Sequence, residues 1–187
     1  TVKYTYDKYN RITAVTDANG NVTKYSYDDF SRVTKVVNAL GQTAEMTYDS
    51  VGNILSSTDF AGKLTEYTYD NNDRVVSEKN ADGTITYSYT TDGKLSSARD
   101  PHGTTSFTYN RMDDGLAKVT YSNGLYVEYP YDNAGRMTAV KTAYGTTSYE
   151  YDALDRVTKV IDRNGYATVY EYDANGNRTA VKYANGI

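Results

Sequence analysis

The sequence predicts an all-β fold made of repeated β-hairpins, about 21 residues each, laid side by side as a β-solenoid or a spiralling hairpin strip. Three observations predict it. Tyrosines recur at a fixed period, glycines keep the same beat, and residues within each repeat alternate in polarity with a period of two. The stretches TYDKYNRITAVTDANG (5–20) and SYDDFSRVTKVVNALG (26–41) show the repetition directly.

The tyrosines come in Tyr-x-Tyr pairs: Tyr4/Tyr6, Tyr25/Tyr27, Tyr67/Tyr69, Tyr87/Tyr89, Tyr129/Tyr131, Tyr149/Tyr151 and Tyr170/Tyr172, with Met46/Tyr48 and Phe107/Tyr109 as variants. Successive second members lie 20, 21 or 22 residues apart, giving nine copies. Side chains two apart on a strand share a face, and the residue between the pair is polar everywhere except at Pro130. One side of the sheet is therefore expected to be covered by a structural tyrosine ladder and the other to be wet. Stacking along that ladder is expected to add to area burial.

An aspartate follows most pairs (Asp7, Asp28, Asp49, Asp70, Asp132, Asp152 and Asp173), while Tyr89-Thr90 and Tyr109-Asn110 depart from the pattern. Each opens a polar link usually closed by Arg11, Arg32, Arg74, Arg136 or Arg156. These aspartates read as turn caps, with the recurring arginine as partner. A second short strand such as RITAV then runs into a turn marked by Gly20, Gly41, Gly62, Gly83, Gly103, Gly124, Gly145, Gly165 or Gly186. Glycine there supplies the positive φ of a tight turn.

Three details interrupt the alternation. Apolar residues of the second strand, such as Ile12 and Val15, are three apart and share a face only if a bulge intervenes. Pro130 cannot donate to a ladder, so an irregularity is expected there. The repeat containing YNRMDDGLAKV holds one extra residue, which predicts a longer turn or a bulge.

Composition bounds the partners. Leu, Ile, Val and Phe make up only about a sixth of the 187 residues, so the 22 tyrosines must supply the apolar area. A net charge of −4 with no basic cluster gives no electrostatic basis for binding nucleic acid, and no apolar run is long enough for membrane insertion. There is no cysteine, and the single histidine, His102, sits in DPHG in register with the other glycine turns. Seven equivalent aspartates offer no distinctive environment for an acid catalyst or a metal. No enzyme activity, cofactor or metal site is expected.

The motif YDNAGR (131–136), with YDSVGN (48–53), YDALDR (151–156) and YDANGN (172–177), on this period across the whole chain, resembles the YD repeat of Rhs proteins, of the B and C components of insecticidal Tc toxins and of teneurins. The resemblance implies one YD-repeat array over 1–187, a fragment of a large hollow shell. In bacteria such shells enclose a toxin domain, and in teneurins a similar shell belongs to an adhesion ectodomain. It also implies a secreted or cell-surface location, with further YD repeats and an encapsulated toxin domain as partners. DPHG is similar to the family's self-cleaving DPxGL element, but Thr104 stands where leucine is expected, so a plain turn is the reading.

Eighteen strands at about 4.8 Å span roughly 86 Å of sheet. Closed in one turn, that strip is too narrow to hold a domain of about 100 residues, so the piece is wall rather than container. Unpaired sheet edges invite self-association. The alternative function is an aromatic hairpin module that binds glycans, with Tyr9, Tyr121, Tyr126, Tyr144, Tyr166 and Tyr183 as the contact candidates, although such modules typically carry tryptophan and this chain has none.

Overall fold

The structure, a computed structural model, describes residues 1–110 and 114–184. The described chain is all β, with eighteen antiparallel strands. Two compact units divide at Tyr87/Ser88.

The first unit contains β1 (Lys3–Tyr6), β2 (Ile12–Thr16), β3 (Val22–Tyr27), β4 (Val33–Val37), β5 (Thr43–Tyr48), β6 (Ile54–Thr58), β7 (Leu64–Tyr69), β8 (Val75–Asn80) and most of β9 (Gly83–Tyr89). Each strand pairs with the next in sequence. The second unit holds β10 (Leu95–Asp100), β11 (Gly103–Tyr109), β12 (Leu116–Thr120), β13 (Tyr126–Glu128), β14 (Ala139–Thr142), β15 (Gly145–Tyr151), β16 (Val157–Ile161), β17 (Ala167–Tyr172) and β18 (Arg178–Tyr183), paired in the same meander.

A bulge reconciles the three-residue spacing of the second strand with a shared face. In the first hairpin Tyr4 faces Val15 and Thr5 faces Ala14, but Tyr6 faces Ile12, so Thr13 is left over. The slip puts Ile12 and Val15 opposite the two tyrosines. It recurs at Ser26/Tyr27, Thr47/Tyr48, Thr68/Tyr69, Thr108/Tyr109, Glu150/Tyr151 and Glu171/Tyr172.

The cause lies in the adjoining turn. The Asp7 carbonyl accepts from the Asn10 amide and the Asp7 amide donates to the Arg11 carbonyl, which closes a three-residue loop whose last member, Asn10, has φ 64°. A type I turn followed by a left-handed residue opens a strand pair with a bulge. Ser31, Gly52, Asp73, Gly93, Asp114, Gly135, Asp155 and Gly176 hold the equivalent left-handed place. The turn after Tyr109 is one residue longer, closed by the Asn110 amide on the Gly115 carbonyl. Its Arg111, Met112 and Asp113, like Gly186, lie outside the described residues.

The glycine-marked turns are of two kinds. Gly20, Gly41, Gly62, Gly124 and Gly165 close three-residue loops with φ between 78° and 88°. Gly83, Gly103 and Gly145 differ from the expected turn position: each is the first residue of a strand after a two-residue turn, paired with Asn80, Asp100 and Thr142. Their φ values are 136°, 144° and 135°. The two central residues of these turns have no positive φ, so the turn splays the strands and the glycine absorbs the mismatch. These are the repeats with the 20-residue step.

Little of the sheet is deeply buried. Val119 and Ala139 are the only described hydrophobic residues in the buried class. Tyrosine pairs from Tyr25 onward are half-buried, while Ser26, Thr47, Thr68, Ser88, Thr108, Glu150 and Glu171 point to water. The wet face carries cross-strand pairs such as Lys35–Glu45 at 2.9 Å and Lys159–Glu150 at 3.1 Å. At Pro130 the regular strand fails. β13 ends at Glu128, and past Pro130 the pairing resumes as an isolated bridge between Tyr131 and Met137.

Substitution at the two kinds of glycine separates strain from clash. Gly20→Ala meets open space and is expected to cost roughly 1–2 kcal/mol through its left-handed backbone alone. Gly103→Ala costs more, because its added Cβ would lie 2.2 Å from Ser122 Cβ. Urea unfolding of both variants measures the difference; equal costs would contradict it.

Candidate functional site: a clasp between successive hairpins

The residues singled out in the sequence converge on one recurring constellation. Asp7 Oδ1 accepts from the amides of Tyr9 and Arg11 at 2.8 and 3.0 Å, and its Oδ2 accepts from Arg11 Nε at 2.7 Å. Asparagine and aspartate favour such turns because a short side-chain oxygen reaches the amides two and four residues on. The arginine is thereby held rigid with its Nη1 free to reach across to the next hairpin.

There Arg11 Nη1 donates to the Asp28 carbonyl at 3.0 Å, and its guanidinium lies 4.8 Å from the Tyr27 ring centre. The Tyr27 hydroxyl reaches back and donates to the Ile12 carbonyl at 2.7 Å. The first hairpin therefore grips the second with a cation and is gripped in return by a phenol. Arg32 repeats the grip on the Asp49 carbonyl and the Tyr48 ring, Arg136 on Asp152 and Tyr151, and Arg156 on Asp173 and Tyr172. The returning hydroxyls of Tyr48, Tyr69, Tyr109, Tyr131, Tyr151 and Tyr172 donate to the carbonyls of Val33, Ile54, Leu95, Leu116, Met137 and Val157.

The departure at Thr90 keeps the geometry. Thr90 Oγ1 accepts from the Lys94 amide at 2.9 Å, and the Lys94 ammonium, paired with Asp92 and Asp114, sits 5.2 Å from the Tyr109 ring centre. Ring-to-ring contact occurs at Tyr4 and Tyr6, 6.5 Å apart and tilted. At Tyr27, Tyr48, Tyr151 and Tyr172 the expected stacking is replaced by a cation over the ring, because partners on successive hairpins are two strands, roughly 9–10 Å, apart.

The clasp carboxyls are held below the ordinary value of 3.8. At Asp7 the Arg11 amide is the main cause; at Asp70, Asp132 and Asp173 it is the side-chain donor of Arg74, Arg136 or Asn177. At Asp28, Asp49 and Asp152 desolvation is the largest single influence and pushes upward, but the combined hydrogen bonds outweigh it. Burial raises the Tyr69 and Tyr151 phenols.

His102 occupies an exposed turn in which Asp100 Oδ1 accepts from the His102 and Gly103 amides at 2.8 and 2.9 Å. Among the described residues no group of three His, Cys, Asp or Glu side chains is placed to hold a metal ion. Among the described residues no helix is long and apolar enough to cross a membrane. Of the off-pair tyrosines, Tyr9, Tyr121, Tyr144, Tyr166 and Tyr183 are exposed, and Tyr126 is half-buried under Lys118.

A meander of repeated hairpins of this kind has counterparts among known proteins. The RHS Repeat family model matches residues 2–43 and 151–187, and the Teneurin YD-shell model matches 57–147. The chain belongs to the YD-repeat, or Rhs-repeat, family. In fold this YD-repeat chain is similar to the crystal structure of TcdB2-TccC3-TEV, with TM-score 0.63 and 13% identity over 97% of the chain and 15% of that structure. It is equally similar to the structure of the Photorhabdus luminescens Tc holotoxin pore, with TM-score 0.63 and 15% identity over 97% of the chain and 13% of that structure. The chain thus spans about a seventh of the solved chains it resembles. No curated protein matches the sequence.

The YD motif can now be read residue by residue. Its tyrosine binds the preceding hairpin, its aspartate organises the turn, its glycine place is left-handed, and its arginine binds the following hairpin. The left-handed place was hidden in the sequence by Asn10, Ser31, Asp73 and Asp155, and the reach of Arg11 to Tyr27 by their distance along the chain. The steady offset of 15 or 16 residues from basic residue to next tyrosine was the available signal.

Two measurements test the clasp. Tyr48→Phe removes a single donor to a half-buried carbonyl and should lower the unfolding free energy by about 1 kcal/mol in urea. Because folding depresses the clasp carboxyls, their contribution is fully present above the unfolded value of 3.8 and is lost as pH falls toward the lower folded values. Circular dichroism should therefore hold steady from pH 7 to about 5 and report unfolding only below about pH 4; a transition centred above pH 5 would contradict this.

Proposed function

We propose that these repeats, acting as one array, form a wall segment of a YD shell and carry out no catalytic step. The observation that carries this reading is the clasp joined to a nearly coreless sheet: stability comes from hairpin gripping hairpin, while the tyrosine face stays half-open. A sheet of that kind is suited to extension by further repeats and to lining an enclosed space. Membership of the YD-repeat family and the fold shared with the Tc assemblies support the same reading. The finer proposal is that the shell is secreted or displayed at the cell surface, encloses a toxin domain, and has further YD repeats as its immediate partners.

A second reading, glycan binding, draws on one observation. Tyr166 and Tyr183 line a shallow cavity of about 400 Å³ with Ala167, Thr168 and Ala184, and exposed aromatic rings are surfaces on which sugars stack. The other exposed off-pair tyrosines, Tyr9, Tyr121 and Tyr144, lie in separate turns and loops, so they supply no continuous platform.

Electron microscopy of the complete reading frame that contains these repeats tests the wall reading. A hollow particle with this segment in its wall, and protease-resistant density inside, is the expected result. A solid or extended particle would overturn encapsulation. For the glycan reading, saturable quenching of tyrosine emission by a soluble polysaccharide, lost in Tyr166→Ala, is the outcome that would support it.

A further inference from the structure

Junctions between hairpins place a cation over a tyrosine ring of the following hairpin, as with Arg11 over Tyr27, Arg32 over Tyr48, Lys94 over Tyr109, Arg136 over Tyr151 and Arg156 over Tyr172. The junction between the third and fourth hairpins has the same ring and the same carboxylate. Tyr69 donates to the Ile54 carbonyl at 2.8 Å, and Asp49 caps its turn through the amides of Val51, Gly52 and Asn53. The cation is missing, because Asn53 stands where Arg11, Arg32, Lys94, Arg136 and Arg156 stand at those junctions.

Asn53 takes over only part of the arginine's work. Its Nδ2 donates to Asp49 Oδ2 at 3.0 Å and to Asp73 Oδ1 at 2.9 Å. Two carboxylates thus share one neutral donor, and among the described residues no cation lies over Tyr69. Arg136 shows the completed form. Its guanidinium meets Asp132 at 2.7 Å and Asp155 at 2.9 Å while donating to the Asp152 carbonyl at 3.1 Å. The electrostatics agree: after burial and Tyr67, the Asp49 charge helps raise the Tyr69 phenol, whereas Arg136 opposes the rise at Tyr151.

We propose that this junction is a binding site for an external guanidinium group, such as an arginine side chain of a partner, lying over Tyr69 and paired with Asp49 and Asp73. Guanidinium is favoured over ammonium because Arg11, Arg32, Arg136 and Arg156 are among the built-in occupants, and because a planar fork serves two carboxylates and a ring face at once. The Asp73 side chain is exposed, so the group can enter from solvent. The site does not depend on the shell reading.

Ethylguanidinium, titrated at constant ionic strength and below denaturing concentration, is the probe, with the tyrosine ring signals followed by NMR. The expected result is a saturable shift confined to the Tyr69 ring in the millimolar range. It should weaken by about tenfold in Asp73→Asn, which loses a charge–charge pairing of about 1.4 kcal/mol, and vanish in Asn53→Arg, where the chain supplies the cation. If Asn53→Arg does not fold, Asp73→Asn decides. A non-saturating shift, a shift equal at all tyrosines, or one unchanged in Asp73→Asn would overturn the site. Equal binding of ethylammonium would overturn the guanidinium preference.

Discussion

The sheet depends on the grip of one hairpin on the next. An isolated hairpin is marginal in water, and among the described residues only the hydrophobic side chains of Val119 and Ala139 are deeply buried, too little to gather the hairpins from a distance. What joins them, besides the backbone ladder, is an arginine held by its own turn carboxylate, laid over a neighbouring ring and bonded to a neighbouring carbonyl. The tyrosine hydroxyl answers from the other side. Every term is between adjacent repeats, so stability should accumulate by neighbours, as in solenoids. Junctions with a weaker partner, such as Lys94 or Asn53, are the places where the array is most easily opened.

The clasp in turn depends on the turn geometry. Asp7 can hold Arg11 by backbone and side chain together only because a three-residue loop brings their amide and carboxylate into register. The same loop forces the bulge at Tyr6, and the bulge rotates Ile12 under the tyrosine pair. A tighter two-residue turn at this end would remove the bulge, turn the second strand's apolar residues to the wet face, and misdirect the arginine. The other end of the hairpin has no such duty, and there loop length does vary: three repeats use two-residue turns and pass the strain to Gly83, Gly103 and Gly145.

Much of this was legible because the repetition averages over local noise. The Tyr-x-Tyr strands, the aspartate caps and the wet residues between the tyrosines follow from period two and turn chemistry, and even the awkward spacing of Ile12 and Val15 pointed to a bulge. The clasp was not legible, since propensity and alternation describe one hairpin at a time and Arg11 and Tyr27 meet only after two hairpins pair. Stacking of rings was the natural inference from a tyrosine ladder, but strand spacing keeps like positions on successive hairpins too far apart, and the arginine fills that gap.

Tyrosine suits this arrangement for a reason that valine or leucine cannot meet. The tyrosine face lies half in water, where an aliphatic side chain gains only part of its transfer free energy and does nothing with its exposed edge. A phenol buries its ring against Val15 or Val36, offers a π face to a guanidinium and ends in a hydroxyl that satisfies a carbonyl of the preceding hairpin. The scarcity of aliphatic residues, which by composition alone resembles disorder, therefore suits a half-exposed sheet: area burial is replaced, repeat by repeat, by directional contacts that survive beside water.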